Sequence, residues 1–228
     1  MEDTTSTAAR LALEAYPKVF RTDFAQPGFV QFSLGSEFGS IEQRRLMVEL
    51  KRELDRLEQK RRGRSLVYQS LGRFDQQVTT KPHRDGGPDE SVLMLGYEPT
   101  LVESRVSMSD YSQCAHDMGL SPAEFLDQHN PMFADGQERL SKYTTAVTGF
   151  DNSCFQILII NNSLTPVGNN RLLGVLHTAE IINPNSDQVR VVNSTMISVE
   201  PQFSDESVAA AGQRDFITTE VIRRAGYE

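Results

Sequence analysis

The chain has 228 residues, with 31 acidic against 23 basic side chains, a net charge of −8 and a pI near 5.1. So acidic a balance disfavours a large phosphate-binding surface, and nucleic acid is not expected as a main partner. The length suits a single domain, residues 1–228, and two cysteines, Cys114 and Cys154, are too few for a disulfide framework and fit a reducing, cytoplasmic compartment.

The opening run Met1-Glu2-Asp3-Thr4-Thr5-Ser6-Thr7 is polar and acidic and lacks the basic segment and apolar core of a secretion signal. A first helix is expected over Thr7–Tyr16, and Phe29–Leu34 alternates as a half-buried strand. Ser40-Ile41-Glu42-Gln43 carries the capping-box pattern, with Ser40 as the cap. Leu46, Met47, Leu50, Leu54 and Leu57 then recur at helical spacing through Lys60. The basic cluster Lys60-Arg61-Arg62-Gly63-Arg64 closes that helix, where cations complement the dipole and glycine ends the turn. Strand-like sequence runs from Ser65 to Val78 and leads into Lys81-Pro82-His83-Arg84-Asp85-Gly86-Gly87. Strands follow at Ser91–Leu95 and Leu101–Val106. Residues 107–145 have helix-forming composition, with Ser121-Pro122 as a helix start, and read as a helical insertion. Strands resume at Cys154–Asn161, Arg171–Ile182 and Gln188–Val199. Ile157-Leu158-Ile159-Ile160 is too short to span a bilayer, so no membrane partner is expected. Short helices near Ser207–Arg214 and Thr218–Arg224 are expected in the tail.

The chemistry concentrates at His83-x-Asp85. Residues i and i+2 of an extended segment point to one side, so both side chains can face one metal ion while Gly86 and Gly87 release the backbone. His177, in an apolar strand-like run, supplies a third donor. Two imidazoles and one carboxylate form a facial triad that leaves coordination positions open, the arrangement of non-heme iron. His83-Arg84-Asp85 also spells the kinase catalytic-loop tripeptide, but Glu90 stands where the loop asparagine belongs, and no nucleotide loop accompanies it. A zinc site from Cys114, His116 and His129 lacks a paired Cys-x-x-Cys knuckle.

On these residues the chain resembles the iron(II)- and 2-oxoglutarate-dependent dioxygenases, over about Leu66 to Val199. The resemblance implies a mainly β fold with helices (α+β): a double-stranded β-helix, or jelly-roll, cupin-like core over about 65–200, flanked by helices and carrying the insertion. It implies Fe(II) held by His83, Asp85 and His177, and 2-oxoglutarate as co-substrate with its far carboxylate on Arg190. A guanidinium in an apolar strand needs a partner in any case, and an intramolecular carboxylate is the alternative. Val192 stands where many relatives carry a hydroxyl, so Ser194 or Tyr68 is the candidate replacement. Core packing is the other reading of Tyr68. Asn161 is a candidate for the carboxylate near iron, with turn chemistry as its alternative. The implied reaction consumes O2 and 2-oxoglutarate, releases succinate and CO2, and hydroxylates a substrate, expected to be a small molecule, with a peptide open. A cupin-like metalloenzyme without 2-oxoglutarate and a non-catalytic binding barrel are the alternatives. The insertion suits either a lid or plain packing.

Overall fold

The computed structural model describes residues 4–201, 208 and 210–224. Among these the protein is an α+β fold with two sheets and six α-helices. Helix α1 spans Thr4–Val19 and buries Ala8, Leu11, Ala12, Ala15, Tyr16 and Val19, one stripe at helical spacing. Strand β1 (Phe29–Gly35) is followed by α2 (Ser40–Arg62), which buries Leu46, Met47, Leu50 and Leu54. The cap of α2 is Gly39, one residue earlier than the sequence pattern suggests. Glu42 Oε2 accepts from the Gly39 N–H at 2.9 Å, while the Ser40 hydroxyl donates instead to Glu98. At the far end Gly63 takes φ 63°, the left-handed conformation that stops the helix.

Strands β2 (Arg64–Asp75), β3 (Ser91–Tyr97), β6 (Phe155–Asn161) and β8 (Val191–Pro201) join β1 and the two-residue β9 (Arg223–Arg224) in a sheet of order β1-β6-β3-β8-β2-β9. All neighbours in it are antiparallel except β2 and β9. Strand β7 (Leu176–Asn183), β4 (Glu103–Ser109) and β5 (Thr144–Ala146) form the second sheet, with β4 at its centre.

Alternation along β3 and β6 shows how the layers stack. Val92, Met94, Ile157 and Ile159 pack with α1 and α2 on one face of the large sheet. Leu93, Leu95, Leu158 and Ile160 join Val106 and Met108 of the small sheet on the other. Every residue of β3 and β6 is buried, which is why their sequences run continuously apolar instead of alternating. The insertion forms three short helices, α3 (Tyr111–Asp117), α4 (Pro122–Gln128) and α5 (Ala134–Leu140), and ends in β5. Tyr111, Cys114, Phe125 and Leu140 pack with Leu176 as a separate apolar cluster.

Several boundaries differ from the sequence pattern. The chain leaves the large sheet at Asp75 and crosses to the small one, where Thr80 N–H donates to Ala179 O at 2.9 Å, so the expected strand to Val78 is cut short. Arg171–Val175 and Gln188–Arg190 precede β7 and β8 as irregular chain. In the tail, α6 covers Ala210–Thr218, and the second expected helix is replaced by β9. The expected helix start at Ser207 lies outside the described residues. No helix among the described residues is long and apolar enough to cross a membrane.

Candidate metal centre

The crossing from the large to the small sheet builds the site. His83 and His177 lie directly opposite in an antiparallel bridge and exchange both backbone hydrogen bonds, at 3.1 and 2.9 Å. Cross-strand neighbours share a face, and the two imidazoles accordingly stand with ring centroids 4.2 Å apart. Asp85, two residues on, returns to the same point: its Oδ1 is 3.4 Å from His83 Nε2 and 3.8 Å from His177 Nε2. One donor atom from each of the three lies within 4.8 Å of the others, close enough to hold a single ion.

Surrounding contacts orient these donors. His83 Nδ1 is 2.8 Å from Lys81 O, so that nitrogen carries a proton and Nε2 is the atom turned to the cluster. Asn162 clamps the backbone of Asp85 on both sides: its Oδ1 accepts from the Asp85 N–H and its Nδ2 donates to the Asp85 carbonyl, each at 3.0 Å. Arg84 is turned away from the cluster and donates to the carbonyls of Asn162, Gly87 and Pro88, which fixes the glycine turn.

The electrostatics suit a cation. Burial, together with the neighbouring His83, lowers the pKa of His177 to about 4, so this ring is neutral and able to ligate at ordinary pH. At His83 burial acts downward, but hydrogen bonds to Asp85 and the Lys81 carbonyl outweigh it and raise the pKa. Burial works upward on Asp85, yet the His83 hydrogen bond and the nearby His177, His83 and Arg84 side chains hold its carboxyl below the usual range. His177 Nδ1 is buried without a hydrogen-bond partner among the described residues. A charged carboxylate between two rings, one held neutral, is a donor set for a divalent metal ion.

The triad opens into a cavity of about 270 Å³ between the sheets, and Arg190 lies in its wall. This side chain is 3% exposed. Its Nε donates to Ser104 Oγ and Nη1 to Gln76 O, both at 3.0 Å, and the guanidinium lies over the Tyr97 ring. Nη2 is buried with no hydrogen-bond partner, and the guanidinium makes no ion pair among the described residues. Asp75, the adjacent carboxylate, is occupied by the Arg190 backbone N–H at 3.0 Å. The intramolecular salt bridge that sequence allowed as an alternative is therefore absent among the described residues.

Ser194 also lines the cavity, on the same face of β8 as Val192 and Met196. Two expected residues are not brought there. Tyr68 lies in the core between the large sheet and the helices, with the Lys51 ammonium over its ring. The cause is a β-bulge: register shifts between Tyr68 and Ser70, so Tyr68 faces the helices while Ser70 faces the cavity. Asn161 spends its side chain on Val19 O and the Ser163 N–H, which is turn chemistry. Its neighbour Asn162 is the residue that serves the site. Asn162, Ser104, Gln76 and Tyr97 escaped sequence reasoning because each acts through a partner distant in the chain. The nearest sequence signal was the Asn161-Asn162-Ser163 cluster at the end of an apolar strand. Cys114, His116 and His129 form no metal cluster: Cys114 is buried, His116 stacks near Phe24, and His129 pairs with Asp135.

Fold and site together define an α+β protein with a metalloenzyme-like two-histidine, one-aspartate centre. No protein-family model matches the chain, and no curated protein matches it.

Proposed function

We propose that the protein is an Fe(II)- and 2-oxoglutarate-dependent oxygenase whose two sheets are the halves of a double-stranded β-helix, the described chain working as one domain. The observation that carries this reading is Arg190, a buried guanidinium whose Nη2 has no hydrogen-bond partner among the described residues, in the wall of the same cavity as the triad. Such a group needs an anion, and a carboxylate offers it a bidentate partner. A metal triad and a guanidinium in the wall of one cavity suit a co-substrate that has one carboxylate for the metal and another for the arginine.

Bound together, ferrous iron and 2-oxoglutarate supply the oxidative chemistry: O2 is consumed, 2-oxoglutarate becomes succinate and CO2, and one oxygen atom enters a substrate C–H bond. The protein's share is positioning. His83, Asp85 and His177 would hold the metal from one side, leaving its remaining positions to ligands. Arg190 would fix the far carboxylate and so orient the co-substrate, with Ser104 and Gln76 keeping the guanidinium aimed. Ser194, on the cavity wall, offers a hydroxyl for the same carboxylate. Leu95 and Met196 give the cavity part of an apolar wall.

Protein supplied anaerobically with ferrous iron and 2-oxoglutarate, then exposed to air, is expected to release succinate slowly without added substrate, and His83→Ala to abolish this. Arg190→Ala is expected to weaken 2-oxoglutarate binding at least tenfold, with Arg190→Lys in between. Absence of metal-dependent 2-oxoglutarate binding in the unaltered protein would overturn the reading. Metal-dependent activity that survives Arg190→Ala with 2-oxoglutarate affinity unchanged would point to a cupin-like enzyme without this co-substrate.

A further inference from the structure

The carboxyl-terminal segment brings a second guanidinium to the cavity. Its path is set by two buried arginines. Arg44 Nη1 donates to Phe216 O at 2.9 Å and to Thr219 O at 2.6 Å, and Arg73 Nη1 donates to Thr219 O at 3.0 Å. Beyond that anchor the chain runs along the edge of β2 as β9, with Arg223 opposite Phe74 and Arg224 opposite Asp75. Phe74 is in turn opposite Val192, whose side chain lies in the core between the sheets. Residues opposite one another in neighbouring strands share a face, so Arg223 falls on the cavity side of the large sheet and Arg224 on the other. Arg223 lines the cavity of the triad accordingly, and Arg224 does not.

The Arg223 side chain makes no hydrogen bond or ion pair among the described residues. Among the described residues the lining holds one carboxylate, Asp85, which already belongs to the triad. In a protein of net charge −8 this cavity thus gathers two guanidinium groups, Arg190 at its buried wall and Arg223 at its exposed rim. Ser70, Gly72 and Ser194 add small residues to the same lining, and Phe74 and Met196 add apolar ones. A Cβ at residue 72 would fall 2.7 Å from the Phe74 ring and push that ring aside.

Resting on the oxygenase reading, in which Arg190 is taken by 2-oxoglutarate, we propose that Arg223 anchors a carboxylate of the substrate to be oxidised. The substrate class is a small carboxylic acid whose apolar part lies against Phe74. A single planar guanidinium suits a carboxylate, whereas phosphate sites collect several donors, typically backbone N–H groups at a helix start, and none lines this cavity.

The test uses the full chain loaded with Mn(II) and 2-oxoglutarate, without turnover. The probes are the twenty amino acids and C3–C6 carboxylic acids, their primary amides, and C3–C6 phosphate monoesters. Paramagnetic broadening of ligand NMR signals reads binding near the metal. Selected carboxylates are expected to broaden while their amides do not. Arg223→Gln is expected to weaken that binding at least tenfold, Arg223→Lys less, and Arg224→Gln, on the opposite face, to leave it within twofold. The proposal is overturned if no carboxylate broadens, if amides or phosphate monoesters bind better, or if Arg223→Gln leaves carboxylate binding intact. A separate 2-oxoglutarate titration on the same variants keeps the two readings apart. Loss of 2-oxoglutarate affinity in Arg223→Gln equal to that in Arg190→Gln assigns Arg223 to the co-substrate and overturns the proposal. Failure of the unaltered protein to bind 2-oxoglutarate overturns the oxygenase reading, while broadening by Mn(II) alone still reads Arg223.

Discussion

Asn162 holds Asp85 by its backbone, and through it the third donor of the triad. Residues that orient a ligand typically contribute 10–100-fold to metal affinity. Asn162→Ala is therefore expected to weaken Mn(II) binding by about that factor, measured by titration. Asn161→Ala, which removes a bond to Val19 O, is expected to lower stability instead and to leave metal affinity nearly unchanged. His177 gives a pH prediction with a definite sign. Its pKa falls from 6.5 when unfolded to about 4 when folded, so the unfolded chain binds the extra proton between those values. The contribution is present in full above about 6.5 and is lost as pH falls towards about 4. In urea unfolding of the metal-free protein at pH 5 and pH 7, His177→Asn is expected to lose less stability at pH 5 than the unaltered chain, while His83, whose pKa is raised, works in the opposite direction in both.

Among the elements, β2 shows both what sequence reveals and what it conceals. Leu66-Val67-Tyr68 has strand-forming residues, and a strand is there. The extra residue Gln69, however, reverses which side chains face the cavity, and a bulge leaves no mark in local composition. Deleting Gln69 is expected to destabilise the protein by several kcal/mol, because regular alternation would carry either Tyr68 and Leu66 out of the helix-side core or Ser70 and Phe74 out of the cavity; thermal unfolding would measure it. The helices α1 and α2, the two fully buried strands and the triad itself were legible, since periodicity, capping and ligand spacing are local properties. The crossing after Asp75, the pairing of β9 and the clamp by Asn162 were not, since each is decided by a partner far along the chain. Arg190 stood between: its need for an anion could be argued from the sequence, but that no carboxylate among the described residues pairs with it required the three-dimensional arrangement.

At the scale of the whole molecule, the metal ligands come from segments nearly half the chain apart, and a bound ion would tie the crossing segment to β7. Anything that binds only the folded state stabilises it by mass action, about 2.7 kcal/mol at a free concentration one hundred times Kd. For a chain of this size that corresponds to a rise in Tm of roughly 5–10 °C. Mn(II) is expected to produce such a shift in differential scanning calorimetry, a chelator to reverse it, and Asp85→Ala to remove it.

The exchange of backbone hydrogen bonds between His83 and His177 has a practical corollary. The spacing of the two rings is set by the ladder and not by loop closure, so a molecule whose crossing segment is threaded onto the wrong neighbour would retain much of its secondary structure yet be blind to metal. Metal uptake per chain thus serves as a count of correctly threaded molecules, a property that circular dichroism of the same sample would not register.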